Sequence, residues 1–427
     1  MPESAPSNEN GFIHRGLDCG VEFAADLLPH RDTVAMSFRM LTGLANDPPE
    51  LTGIGSIVER TLSKGTRKYD GRGLADAFDA MGVQWGSISG RQSTLVRILC
   101  LPEFALQTVN LVAEMLCRPT FPEDACKVAV DLARQDLRSM EDDPHDLLRV
   151  MIQRLTLGPI FGRHPGGEPE TLARITPQNI AEHWKRFYHT GRLQVSVAGP
   201  VDADALIQRI GDNFADFGSA QRAGREPADF DFEPTTQHRD KDLKQQYIAF
   251  TLLGAKRADH HFAVERVLIA VLSGGMSGRL FTEVREKLGL VYWVAAWHEQ
   301  PRDAGLIYFG ASTTPQRCEK TYATLRRELD RLSEDLTAEE THRARNSLIA
   351  QLETEDDLTR ARAGSLSDDL FHFSRPIGLA AKLAALRAVT VERVQEYARG
   401  LPRDRLCVAT LGPLAPGTKA DPSPSEA

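Results

Sequence analysis

No run of about 18 consecutive apolar residues occurs in this chain, which argues against a membrane-spanning helix. None of the six cysteines falls in a C-x-x-C pair, so they are expected to be reduced thiols, most of them buried. A basic excess is also missing. Lys and Arg number 51 against 59 Asp and Glu, and the net charge of −8 argues against non-specific nucleic-acid binding. Residues 1–10 are polar and lack the basic-then-apolar order of a signal peptide, so the cytoplasm is the expected compartment. What is present describes a soluble globular protein. The 427 residues are 41% hydrophobic and 26% charged, enough for two to four compact units with ample cores.

The pattern predicts strands at residues 20–24 and 34–40. In the second, Val34, Met36, Phe38 and Met40 alternate with small or polar neighbours, as in a half-buried strand. Helical spacing follows at 53–66 and 71–81, a strand pair at 83–88 and 94–101, then helices at 103–116, 123–140 and 147–160. The loop at 158–169 is rich in Gly and Pro but lacks phosphate-loop spacing, which excludes nucleotide binding there. Thr176-Pro177 opens a helix to about Tyr188, and a strand at 193–198 and a helix at 203–214 close the first half. His183 and His189 are six apart and face different ways, a poor metal pair. Residues 218–242 are polar and aperiodic and are expected to be a linker. The second half repeats the first in outline. Its strands fall at 246–252, 291–297, 306–311 and 406–411, and its helices at 260–272, 279–288, 316–332, 337–353, 360–373 and 390–399. The expected division is therefore 15–217, linker 218–242, 243–412, and a disordered tail at 413–427. The fold class is α+β, two homologous halves that each pack a mainly antiparallel sheet against several helices and together form a clamshell.

One stretch organises the first half: Gly53-Ile-Gly-Ser-Ile-Val-Glu-Arg-Thr-Leu-Ser-Lys-Gly-Thr66. Ile54, Ile57, Val58 and Leu62 share one side of a short helix, while Ser56, Glu59 and Arg60 share another. Gly65 is placed to end the helix in the left-handed conformation. This stretch resembles the zinc-binding helix of the pitrilysin/insulinase peptidases, whose signature is H-x-x-E-H. There, two His hold Zn²⁺ and the Glu is general base on the metal-bound water. Glu59 keeps the base position, but Ser56 and Arg60 stand where the His ligands belong. Ser is a poor zinc ligand and Arg offers no lone pair, so no zinc is expected here. The resemblance puts a third ligand, a Glu, about 75 residues on. Asp136 is the equivalent, with Gln135 the alternative by one residue. Asp136 reads either as an exposed carboxylate or as the partner of Arg60, a fixed guanidinium in the place of the lost metal charge.

A second match lies in the other half. Leu272-Ser-Gly-Gly-Met-Ser-Gly-Arg-Leu-Phe-Thr-Glu-Val-Arg-Glu-Lys-Leu-Gly-Leu-Val-Tyr292 resembles the family's C-terminal signature of Gly-rich turn, helix, and Arg and Tyr seven apart. Leu280, Phe281, Val284 and Leu288 are expected to pack its inner face, with Arg285 outward and Arg279 structural. The resemblance implies that Arg285 and Tyr292 hydrogen-bond substrate backbone near the scissile carbonyl. Zinc site lost and Arg/Tyr pair kept is the pattern of a non-catalytic subunit in a heterodimeric zinc peptidase. The implied partners are a catalytic chain with an intact H-x-x-E-H and its zinc, and a peptide or unfolded polypeptide. No cofactor is expected in this chain, and nucleic acid and membrane are not expected as partners. A stand-alone peptide-binding or structural protein, homodimeric or not, is the alternative.

Overall fold

The computed structural model describes residues 11–218, 230 and 232–415. Strands form where apolar residues alternate or run continuously. They are β1 (Phe12–Gly16), β2 (Glu22–Leu27), β3 (Val34–Met40), β4 (Gln84–Ser89), β5 (Thr94–Cys100) and β6 (Leu193–Gly199). The later ones are β7 (Thr236–Asp240), β8 (Gln246–Leu253), β9 (Val291–Glu299), β10 (Leu306–Thr313) and β11 (Cys407–Gly412). The helices begin with α1 (Ile54–Thr61), α2 (Gly71–Asp79), α3 (Ala105–Cys117), α4 (Glu123–Asp142) and α5 (Pro144–Thr156). Two single turns, α6 (Gly158–Phe161) and α7 (Pro169–Leu172), precede α8 (Pro177–Phe187) and α9 (Ala203–Phe214). The second series is α10 (Phe262–Ser273), α11 (Cys318–Arg331), α12 (Ala338–Asp356), α13 (Thr359–Phe373), α14 (Leu379–Arg387) and α15 (Val391–Gly400). Between α10 and β9, Leu280–Lys287 winds as a wider π-helix. Among the described residues no helix is long and apolar enough to cross a membrane.

The strands make two sheets, ordered β1-β2-β6-β3-β5-β4 and β7-β11-β8-β10-β9. In the first, β2 and β6 run parallel and the other pairings are antiparallel. The second repeats this: β7 and β11 are parallel and the rest antiparallel. Strand for strand, β7-β11-β8-β10-β9 matches β2-β6-β3-β5-β4, so the duplication read from the sequence is a duplication of topology. The expected linker needs correction at this point. Residues 236–240 are β7, the counterpart of β2. Gln237 and Arg239 are exposed, so this edge strand lacks the alternation that would reveal it. Residues 219–229 and 231 of the expected linker, and 416–427 of the expected tail, lie outside the described residues.

The compact units are not contiguous halves. One comprises Met1–Arg138, Arg163–Glu226 and Glu353–Leu379, the other Ser139–Gly162, Pro227–Leu352 and Ala380–Ala427. Each sheet is thus covered by a helix from the opposite half of the chain: α13 packs on β2, β3 and β6, and α5 on β8 and β11. Small residues let α13 approach closely, since Ala363 meets Ala35 and Ala198, and Leu366 and Leu370 meet Ala24. Polar bonds then fix its register. Arg39 on β3 donates to Ser367 Oγ (3.0 Å) and Asp368 Oδ1 (2.5 Å) and lies over the Phe371 ring. Arg362 donates to Asp26 Oδ2 on β2 (2.7 Å). Strand β3 is consequently buried on both faces rather than half-buried, because Ala35, Ser37 and Arg39 lie under α13. On the second sheet, α5 is tied by Thr156 Oγ1 to Tyr308 Oη (3.0 Å) and by Gln153 Nε2 to Glu299 Oε1 (2.8 Å). All six cysteines are unpaired, and three, Cys100, Cys126 and Cys407, are buried, fewer than expected.

Candidate functional site

Helix α1 is placed by a loop, not by its own end. The Asp47 carboxylate accepts the backbone N–H groups of Gly53 (2.8 Å) and Gly55 (3.1 Å), two of the donors a helix start leaves unsatisfied. Burial pushes Asp47 up to about 7, against the lowering effect of those N–H bonds and of the nearby Arg163 charge. Gly53 takes φ +99°, and a Cβ there would meet Gly167 Cα at 2.7 Å, so neither geometry nor space admits another residue. Gly65 is not the left-handed stop that its position suggested. It is absent from the positive-φ glycines and instead bridges to Asp70. His183 is buried 3.9 Å from Asp47 and pushed down to about 4 by burial, a core histidine and not a ligand.

With Ile54, Ile57 and Val58 buried, α1 turns Ser56, Glu59 and Arg60 toward the half-exposed side. Arg60 Nη2 donates to Asp136 Oδ2 on α4 at 2.6 Å. Asp136, and not the exposed Gln135, is therefore the α4 residue that meets the position of the second absent His. Glu59 accepts a short hydrogen bond from Ser87 Oγ on β4. Burial raises the Glu59 carboxyl above its usual range, opposed by that bond and by the Arg60 and Lys64 charges. The donor set does not fit a zinc ion. Arg60 offers no lone pair, its guanidinium engages the acidic residue facing it across the two helices, and Ser56 is a neutral hydroxyl.

Glu59, Arg60 and Ser87 line a cavity of about 660 Å³, to which neither Ser56 nor Asp136 contributes. Ser63, Lys64 and Asp124 complete its polar side, and Trp85, Ala129, Val128 and Leu132 are among its apolar wall residues. Val128 and Leu132 are 57% and 46% exposed, one turn apart on α4 and off the stripe that Cys126, Ala129, Val130, Ala133 and Leu137 bury. The wall suits an apolar side chain beside a polar head. Sequence reasoning missed Trp85, Ser87, Val128 and Leu132. The two apolar residues outside the buried stripe were the available signal, whereas nothing local links Ser87 to Glu59.

In the other unit, the π-helix buries Leu280 and Val284, but Leu288 is 41% exposed and Phe281 half-buried, contrary to the inner face expected of both. The ring of Phe281 instead supports the Arg285 guanidinium at 5.1 Å. Among the described residues, neither that guanidinium nor the Tyr292 hydroxyl has a hydrogen-bond partner, and Tyr292, on edge strand β9, is 59% exposed. Arg279 is the opposite case. Buried, it donates to Asp335 Oδ1 (2.7 Å) and to Glu340 Oε1 (2.6 Å) and Oε2 (2.8 Å).

Comparison with known proteins agrees with this architecture. Residues 24–158 match the family model Insulinase (Peptidase family M16), and residues 174–348 match Peptidase M16 inactive domain. The uncharacterized zinc protease YmxG of Bacillus subtilis is 26% identical over 92% of this chain and 96% of its own. An uncharacterized zinc protease of Streptomyces coelicolor is 25% identical over 93% and 89%. Two solved structures share the fold. A peptidase M16 inactive domain from Pseudomonas fluorescens has TM-score 0.85 at 18% identity, covering 96% of this chain and 100% of that one. A protease from Helicobacter pylori has TM-score 0.86 at 15% identity, covering 94% and 99%.

Proposed function

The chain belongs to the pitrilysin/insulinase (M16) family, and from that premise we propose that it is a non-catalytic, substrate-binding subunit of a heterodimeric zinc metallopeptidase. One observation carries the reading: a permanently charged guanidinium, held by Asp136, stands where the second zinc-binding imidazole would be. The zinc and the water it activates belong, on this reading, to a partner chain with an intact H-x-x-E-H helix.

This chain contributes grip. Among the described residues the side chains of Arg285 and Tyr292 are uncommitted to other hydrogen bonds, which suits donors reserved for a bound polypeptide. Tyr292 stands on β9, an edge strand whose free backbone groups suit an extended peptide laid alongside it. Donors aimed at a scissile carbonyl are typically worth ~10²–10³ in turnover. Reconstituting the pair with Arg285→Ala or Tyr292→Phe should lower kcat by that order while size-exclusion chromatography still recovers the complex. Undiminished turnover in both variants would remove the role in trans.

The cavity beside Glu59 favours a second reading, a stand-alone protein that binds peptides without cleaving them. Purification from the native cell separates the two. A co-eluting chain with H-x-x-E-H supports the subunit, and a homodimer that binds peptide by itself supports the alternative.

A further inference from the structure

Far along the sequence from α1, the turn entering α10 gathers Asp259, His260 and His261, with one ligand atom of each within 4.8 Å of the others. Asp259 Oδ1 lies 3.1 Å from His260 Nδ1 and 3.2 Å from His261 Nδ1. Bonds of about 2.0–2.2 Å in a tetrahedron put neighbouring ligand atoms roughly 3.3–3.6 Å apart, so these two edges are close to that length and the third lies within 4.8 Å.

Two of the three donors are held before any ion arrives. The backbone N–H of His261 donates to Asp259 Oδ1 at 2.8 Å, and that bond first, with the adjacent imidazoles, holds the carboxyl below its usual range. The His261 ring stacks on Tyr397 of α15, centroids 5.3 Å apart and planes 26° from parallel. Tyr397 is fixed in turn: its hydroxyl donates to Glu265 Oε2 (2.5 Å), a fully buried carboxylate that also accepts the Ala255 backbone N–H (2.6 Å). The stacking restricts the orientation of the His261 ring. Asp259 also caps the helix start through that N–H bond, and a hydrogen bond from the His261 ring and the nearby His260 Nδ1 bring two imidazole nitrogens to the same carboxylate oxygen.

We propose that Asp259, His260 and His261 form a binding site for a divalent transition-metal ion of the zinc type, separate from the degenerate motif on α1. Two imidazoles and a carboxylate suit zinc or copper over magnesium or calcium. Asp259 and His260 are exposed, so water or a side chain of another molecule could complete the coordination.

The test is zinc uptake by the full-length chain, stripped with chelator and titrated against a chromophoric competitor. Wild type is expected to take up one equivalent more than the variant His260→Ala/His261→Ala. Asp259→Asn, which keeps both rings, should weaken uptake at least about tenfold. Equal uptake by wild type and the double variant overturns the proposal, as does uptake with no zinc-induced shift of the His260 and His261 imidazole NMR signals. Loss of the equivalent in Asp136→Ala, at the third-ligand position, would instead put the ion at the α1 site and overturn the subunit reading as well, so the two failures are distinguishable.

Discussion

Arg60 and Arg279 bear the same charge in opposite surroundings, and substitution should separate them. The side chains of Arg60 and Asp136 are 32% and 63% exposed, so Arg60→Ala should cost under about 1 kcal/mol in urea unfolding. The Arg279 side chain is 6% exposed and donates to two carboxylates, so Arg279→Ala should cost more, about 1.5–3 kcal/mol, the worth of hydrogen bonds to charged groups. Burial alone would raise the Glu340 carboxyl, but hydrogen bonds from Arg279 and Thr337 outweigh it and bring the group down to about 2, from 4.5 when free. A folded value below the unfolded one stabilises the fold above pH 4.5, and that share is lost as pH falls through 2. Replacing Arg279 should therefore move the acid-unfolding midpoint to higher pH. At the degenerate site, Ser56→His/Arg60→His should add no zinc to what the wild-type chain takes up by metal analysis, because Asp136 is one methylene short of the family's Glu. Adding Asp136→Glu should raise uptake by one equivalent over wild type. The Arg60–Asp136 pairing was legible, since a count along the chain led to it. The bond from Ser87 to Glu59 was not, because it depends on which strand lies against α1.

At the scale of elements, α1 depends on two residues outside it. Asp47→Ala removes the acceptor for two helix-start N–H groups and should cost about 1–2 kcal/mol in thermal or urea unfolding, as a lost cap does. Gly53→Ala should cost more, because it adds a backbone clash at Gly167 to an unfavourable φ. Most helices and strands could be read because their apolar residues keep a period. Residues 34–40 and 203–214 were bounded to the residue. The misses include elements without one: β1, Phe12–Gly16, is short and lies at an edge, β7 is polar and lies at an edge, and α14, Leu379–Arg387, is Ala and Leu almost all round. The π-helix at Leu280–Lys287 was read as an ordinary one, which is why the outward positions of Phe281 and Leu288 were assigned inward.

For the molecule as a whole, the repeat of two halves could be read and the exchange of helices could not. An amphipathic pattern says that α5 and α13 each bury a face, but not against which sheet. The exchange bears on where the chain can be cut. Residues 1–218 expressed alone would leave Ala24, Ala35 and Ala198 uncovered and Arg39 and Asp26 without their α13 partners. That fragment should be insoluble or bind a hydrophobic dye strongly. Supplying residues 230–427 by co-expression should recover soluble protein with cooperative unfolding. A soluble, cooperatively folded fragment 1–218 would show that α13 is dispensable to the first sheet.

The loan of α13 to the first sheet also sets a timetable for biosynthesis. β1 to β6 leave the ribosome well before residues 359–373 have been translated, so the sheet they form must wait with one side bare. A nascent chain in that condition is a natural client for a chaperone. Pausing translation before residue 359 should therefore lengthen chaperone contact far more than pausing after α13 has emerged.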